Sequence, residues 1–232
     1  MKVMKENKWP NNIEKNLLIF INGDNKKNNG RQPNERYASF DFCFNYFQEF
    51  KEKNKIEELA IDKNLQESCL QLGFYLASWG MLRGSSFLLE KSVRHYSELI
   101  KELVKFDKKI WDIDVDRYND SNIKMLLDFK DVIRKTLGEK SSDTLITKIM
   151  LGIFGNVPAF DNYFDKGFGF YYCKKNQLKN ISDFYKENKS IIDKYNKKIF
   201  TFDFLTGKTT KRNYTKAKII DMIGFAAGQN NN

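Results

Sequence analysis

At 232 residues the chain can form one large domain or two small ones, and its 20 Phe and 11 Tyr supply large apolar side chains for a sizeable core. Its 40 basic against 30 acidic residues leave a net charge of +10, which favours an anionic partner, nucleic acid foremost, although Lys/Asn/Ile-rich chains can be basic without such a role. No 18-residue apolar span is available to cross a membrane, and no charged-then-apolar leader carries a cleavage site, so a soluble cytoplasmic chain with no membrane partner is expected.

The sulfur and imidazole inventory narrows the chemistry. Cys43, Cys69 and Cys173 are odd in number, far apart and set in apolar runs, which reads as buried thiols in a reducing compartment. His95 is the single histidine. Multi-histidine metal sites are thereby excluded and Ser-His-Asp catalysis is disfavoured. No metal and no cofactor is expected. Carboxylates and a basic surface remain.

In chain order, residues 1–34 are polar apart from Trp9 and the run Leu17 to Ile21, which reads as a short helix or strand followed by a mobile basic loop at Lys26 to Gly30. Tyr37, Phe40, Phe44 and Phe47 recur at helical spacing and predict a helix over 34–52, with Asp41 and Asn45 among the aromatics. A second helix is predicted over 64–78. It ends at Trp79-Gly80-Met81-Leu82-Arg83-Gly84, after which Ser85 or Ser86 caps a third helix over 87–106. Trp111 to Asp116 alternates Asp with apolar residues like a calcium loop. Arg117 stands where that loop needs glycine and Ile123 where it needs its bidentate acid, so an extended connection is expected instead.

A helix over 121–136 leads to Leu137-Gly138-Glu139-Lys140-Ser141, a break. Ser141, Ser142 and Asp143 then offer N-caps for Thr144 to Phe154, the most apolar helical run of the chain. Leu145, Ile149 and Gly152 fall on one face and Ile146, Met150 and Ile153 on the next, and a helix apolar nearly all round is buried. Gly155 is a natural C′ residue and Pro158 prevents continuation. Asp161 follows the turn, where it could also cap a short helix over 162–166. Beyond it a lysine-dense helix is predicted over 181–195, a small β-hairpin over 199–214 turning at Thr206-Gly207, a last helix over 216–227, and a frayed tail from Gln229. Gly207-Lys208-Thr209 is no phosphate loop, because Phe202 stands where the leading glycine belongs. The expected fold is mainly α: one helical domain, 1–232, with mobile ends at 1–34 and 229–232.

The segment Leu137 to Phe168 resembles the helix-hairpin-helix DNA glycosylase superfamily. The likeness rests on the helix-break-helix layout and on Phe154-Gly155-Asn156-Val157-Pro158-Ala159-Phe160-Asp161, and it covers about 35 of the 232 residues. The resemblance implies a hairpin that clamps a DNA phosphate, a buried helix, and an aspartate delivered into an active site. Asp161 would be that catalytic group. The family hairpin usually carries a second glycine where Glu139 to Ser141 stand. The lysine that bifunctional members place at the start of the second helix is replaced by Ser142, Asp143 and Thr144, with Lys140 slightly early. The implied activity is therefore monofunctional base excision from double-stranded DNA, with the target nucleotide flipped out of the helix. On the same reading Tyr37, Phe40, Asp41 and Phe44 would line a base pocket, Trp79 or Leu82 would wedge the duplex, and Arg83 would hold a phosphate. Gly138, Lys140, Ser141, Ser142, Lys148 and Lys174 would meet the DNA backbone. The alternative is a non-catalytic helical module that binds nucleic acid or protein, defence- or phage-associated. In an enzyme Asp161 would sit in a cleft beside aromatics, and in a module it would only cap a helix.

Overall fold

The apolar run at the middle of the chain forms α6 (Asp143–Phe154), in which every residue from Leu145 to Phe154 is buried. Ser142 caps its start by accepting the Leu145 N–H, and Gly155 ends it in the left-handed conformation at φ 66°, where an L side chain would be strained. The computed structural model describes residues 9–23 and 30–230. Among them α1 (Ile13–Asn22), α2 (Ala38–Glu52), α3 (Asp62–Ser78), α4 (Ser97–Lys105) and α5 (Asp120–Leu137) precede α6. After it come α7 (Asn162–Phe168), α8 (Lys175–Glu187), α9 (Lys189–Asn196), the two-stranded antiparallel pair β1 (Phe200–Phe202) and β2 (Thr209–Asn213), and α10 (Lys216–Asn230). The strands pair Phe200 with Asn213 and Phe202 with Thr209, with a bulge between. The architecture is mainly α, as the spacing of apolar residues predicts.

Two helices are buried along almost their whole length. α6 packs against α2, α3 and α5; α10, buried from Ala217 to Gly228, packs against α7, α1 and α9. Glycines set the closest approach. A Cβ on Gly167 of α7 would lie 2.5 Å from the Gly224 carbonyl oxygen, and one on Gly228 would lie 1.8 Å from the Tyr163 carbonyl oxygen. The α7–α10 seam exists only because these positions have no side chain.

Packing overrides the periodic pattern at several places. The predicted helix over 87–106 is two 3₁₀ turns, Phe87–Glu90 and Val93–Tyr96, followed by α4. Val93 and Tyr96 seat directly on Gly73 of α3, about 3 Å from where its Cβ would be, and the chain bends to place them there. The predicted helix over 181–195 is broken at Asn188, whose side-chain amide donates to the Phe184 carbonyl in competition with the backbone ladder. The connection at 111–116 contains 3₁₀ turns rather than extended chain, and Asp114 caps α10 by accepting the N–H groups of Lys216 and Ala217. Residues 9–23 and 30–34 belong to the packed body rather than to a mobile leader, because Leu17 and Phe20 are buried and α1 lies on α10. α10 likewise continues through Gln229 and Asn230. The rest of the segments read as mobile, and most of the basic loop at 26–30, fall outside the described residues.

The turn between α5 and α6 is tied to the start of α8 by one carboxylate. Asp143 accepts from Lys130 Nζ at 2.7 Å, Arg134 Nη2 at 2.8 Å and the Cys173 N–H at 2.8 Å, and Lys130 also donates to the Cys173 carbonyl at 2.7 Å. Lys130 and Asp143 are nearly buried, so removing the charge strands the ammonium. Asp143→Asn is expected to destabilise the fold by about 2 kcal/mol, the range for a charged hydrogen bond, as a lowered urea midpoint with unchanged slope.

Candidate functional site

Asp161 is aimed by the turn that links α6 to α7. Each strand of that turn has its backbone fixed from outside: the Ala159 N–H donates to Asp221 at 2.9 Å, the Phe160 N–H donates to Thr147 Oγ1 at 2.9 Å, and the Phe160 carbonyl accepts from Thr144 Oγ1 at 2.7 Å. The Asn156 carbonyl accepts from the buried Tyr118 hydroxyl. The carboxylate then divides its work. Oδ1 accepts the N–H groups of Tyr163 and Phe164 and caps α7, while Oδ2 stands 3.3 Å from Lys148 Nζ. Capping and a place in a cleft are thus not alternatives here, because each uses a different oxygen.

The cleft has a volume of about 610 Å³ and lies between the turn after α3, the start of α6, and α7. Trp79, Tyr163 and Phe225 supply aromatic surface, and Ser142 and Thr144 supply hydroxyls. Four cations, Arg36, Arg83, Lys148 and Lys166, face one carboxylate, Asp161. A site with that balance prefers an anion. Gly80, at φ 75°, lets the Arg83 side chain fold over the backbone, since a Cβ there would stand 2.7 Å from Arg83 Nε. Trp79 is stacked on Tyr37 at 5.5 Å and meets the Phe225 edge at 5.7 Å, and the cations of Lys148, Lys218 and Arg36 lie within 6 Å of its ring centroid. Its indole N–H is buried without a hydrogen-bond partner. Behind it a second buried pair, Lys218 with Asp221 at 2.7 Å, closes the floor.

Lys148 is the unusual member. It is buried, donates to the Trp79 carbonyl at 3.0 Å, and is paired with Asp161. Burial holds its amine below the ordinary lysine range, against the pull of Asp161. The unfolded chain therefore binds this proton more tightly than the folded one, and the group's contribution to stability improves as pH rises from the depressed value towards 10.5. Lys148→Met is expected to remove that gain: the stability difference between wild type and variant should move in favour of wild type as pH rises through this window, measured by urea unfolding at stepped pH.

The residues proposed from sequence are distributed unevenly. Asp161, Trp79, Arg83, Ser142 and Lys148 line the cleft together. Lys148 points inward and cannot serve as a DNA-backbone contact, because its amine is sequestered against Asp161 and Trp79. The base pocket expected from Tyr37, Phe40, Asp41 and Phe44 is also corrected. Phe40 and Phe44 are core, and Tyr37 lies behind Trp79, stacked between it and Phe20. Asp41 is fully buried and accepts from Arg31 at 2.9 Å, the Phe202 N–H at 3.0 Å and the Tyr214 hydroxyl, so it clamps the β-hairpin to α2. In the 138–142 turn, Gly138 has φ 103° and its carbonyl accepts the Ser141 N–H at 3.0 Å. Ser141 is buried with its hydroxyl unpaired. Lys140 is exposed and borders a smaller depression shared with Arg83 and Ser142. Lys174 precedes α8 and lies over the Tyr172 ring.

Arg36, Tyr163, Lys166 and Phe225 were not singled out by sequence. Tyr163 and Lys166 follow Asp161 by two and five residues on the short α7, a signal that was available. Arg36 and Phe225 reach the cleft only through the packing of α2 and α10. Among the described residues no cluster of His, Cys, Asp and Glu could hold a metal ion, and no helix is long and apolar enough to cross a membrane. Comparison with family models, with curated proteins and with solved structures finds no match.

Proposed function

We propose that this protein binds DNA and hydrolyses the N-glycosidic bond of a damaged or modified nucleotide held in the Asp161 cleft, as a monofunctional base-excision enzyme. The observation that carries the reading is the divided carboxylate: Asp161 Oδ1 is locked by two backbone N–H groups while Oδ2 faces an aromatic, cation-rich cleft. Removing a base leaves positive charge on the sugar, and a fixed carboxylate is the group that stabilises such charge without reorganising. In the reaction the C1′–N bond breaks, water oxygen adds to C1′, and the base departs with the bonding electrons. Asp161 orients that water and accepts its proton, which returns to solvent or to the leaving base. Trp79 and Tyr163 supply aromatic surface in the cleft against which an extruded base can pack. Arg36, Arg83 and Lys166 offer charge for the phosphates beside it.

A second reading is a non-catalytic cleft that only binds a nucleotide. The position of Lys148 favours it, because the ammonium stands 3.3 Å from the same oxygen that the reaction requires. Abasic-site formation separates the two. Purified protein is incubated with oligonucleotides carrying damaged or hypermodified bases, with and without alkali. Strand breaks that appear only after alkali support base excision without lyase chemistry. Salt-sensitive binding with no abasic sites moves the cleft to the second reading.

A further inference from the structure

We infer that the segment 171–174 is a stacking platform for unpaired bases, so that the substrate class of the neighbouring cleft is single-stranded nucleic acid rather than duplex. The inference rests on the cleft being a nucleotide site. Tyr171 and Tyr172 are 60% and 53% exposed, which is unusual for two adjacent aromatics. Their rings meet edge to face at 4.6 Å, and Lys174 Nζ lies 5.1 Å from the Tyr172 centroid. The backbone beneath them is held on both sides. Phe170 is buried against Phe168, and Cys173 is bonded through its N–H to Asp143 and through its carbonyl to Lys130.

That anchorage also sets the location. Asp143 is the first residue of α6, and its chain neighbours Ser142 and Thr144 line the cleft. The tyrosine segment is therefore tied through Asp143 to the start of α6, next to the residues Ser142 and Thr144 of the cleft wall, with Lys174 beside it and Lys166 and Arg83 inside the cleft. Outward aromatics interleaved with cations match a single strand, whose bases expose their faces and whose phosphates follow the positive charge. A duplex hides those faces in its own stack, and extruding a nucleotide costs least when the strand is already unpaired.

The test is fluorescence anisotropy with three labelled probes of equal length: oligo(dT), oligo(U) and a blunt DNA duplex. Wild type should bind at least one single strand more tightly than the duplex. Tyr171→Ala/Tyr172→Ala should weaken single-strand binding roughly tenfold or more, the loss of one or two stacked bases, and leave duplex binding within about twofold. Tyr171→Phe/Tyr172→Phe should retain it. Lys174→Gln should flatten the dependence of log K on log salt by about 0.7, one phosphate contact on a single strand. Preference of wild type for duplex, or single-strand binding untouched by the double Ala change, overturns the platform. Abasic-site formation on the same strands reports the cleft separately: excision with unaltered binding in the Ala variant removes the platform and keeps the enzyme, whereas tyrosine-dependent binding without excision does the reverse.

Discussion

Asp161→Asn is expected to slow base excision by about 10²–10³-fold and to leave the protein folded. The rate effect is that of deleting one preorganised electrostatic group at a centre where charge develops. The fold survives because Asn retains an oxygen that can accept the Tyr163 and Phe164 N–H groups, so α7 keeps its cap. Lys148, deprived of its counter-ion, still donates to the Trp79 carbonyl. Single-turnover excision assays measure the rate, and thermal unfolding followed by circular dichroism measures the fold. Asp161→Ala makes the contrast, since it removes the cap as well and should add about 1 kcal/mol of destabilisation. An Asn variant that excises at the wild-type rate would show that the negative charge does no chemistry, and the cleft would revert to a binding site.

Gly228→Ala is expected to be strongly destabilising for a single added methyl group. The added Cβ would stand 1.8 Å from the Tyr163 carbonyl oxygen, and what it meets is backbone rather than a side chain that can swing aside. Either α10 moves outward or α7 moves away, and both surrender contacts across a buried seam. The loss should reach or exceed about 3 kcal/mol, the upper part of the usual range for overpacking. The same shift would displace Tyr163, two residues beyond Asp161, so the variant should lose excision activity even at temperatures where it remains folded. Urea unfolding gives the first quantity and single-turnover rates on the folded fraction the second. Gly84→Ala is a control: a Cβ at Gly84 meets nothing within 4 Å, and the expected cost is only the strain of φ 61°.

The buried helix α6 could be read from sequence because its information is local. Ser142, the apolar run and Gly155 lie within 14 consecutive residues, and each acts on its chain neighbours. Asp161, Trp79 and Arg83 could be proposed for the cleft because their residue types and flanking glycines stand out. The burial of Lys148 was signalled too: a lysine in the middle of a helix apolar all round has no solvent to reach, so it must carry a partner inward. Residue type alone points the other way, because lysine is usually a surface residue. Tyr37, Phe40 and Phe44 misled for the opposite reason, since an aromatic stripe at helical spacing describes a core face equally well. Arg36 comes to the cleft from the turn before α2 and Phe225 from α10, and the α7–α10 seam depends on glycines spaced along two distant helices. No local pattern encodes such meetings.

The Arg31–Asp41–Tyr214 clamp has a consequence for how the chain is born. The buried aspartate of α2 has Arg31 ten residues before it but finds its last partner, Tyr214, 173 residues later, and α1 rests on α10. At roughly 5–20 residues per second, a ribosome needs about nine to thirty-five seconds to deliver Tyr214 after Asp41 has been made. Through that interval α1 lacks its cover by α10, and α2 has α3 and α6 beside it but not the hairpin that closes over Asp41. Nascent chains should therefore be held by chaperones through their first half, and chains arrested before α10 has emerged should be digested rapidly by protease, whereas the released chain resists it.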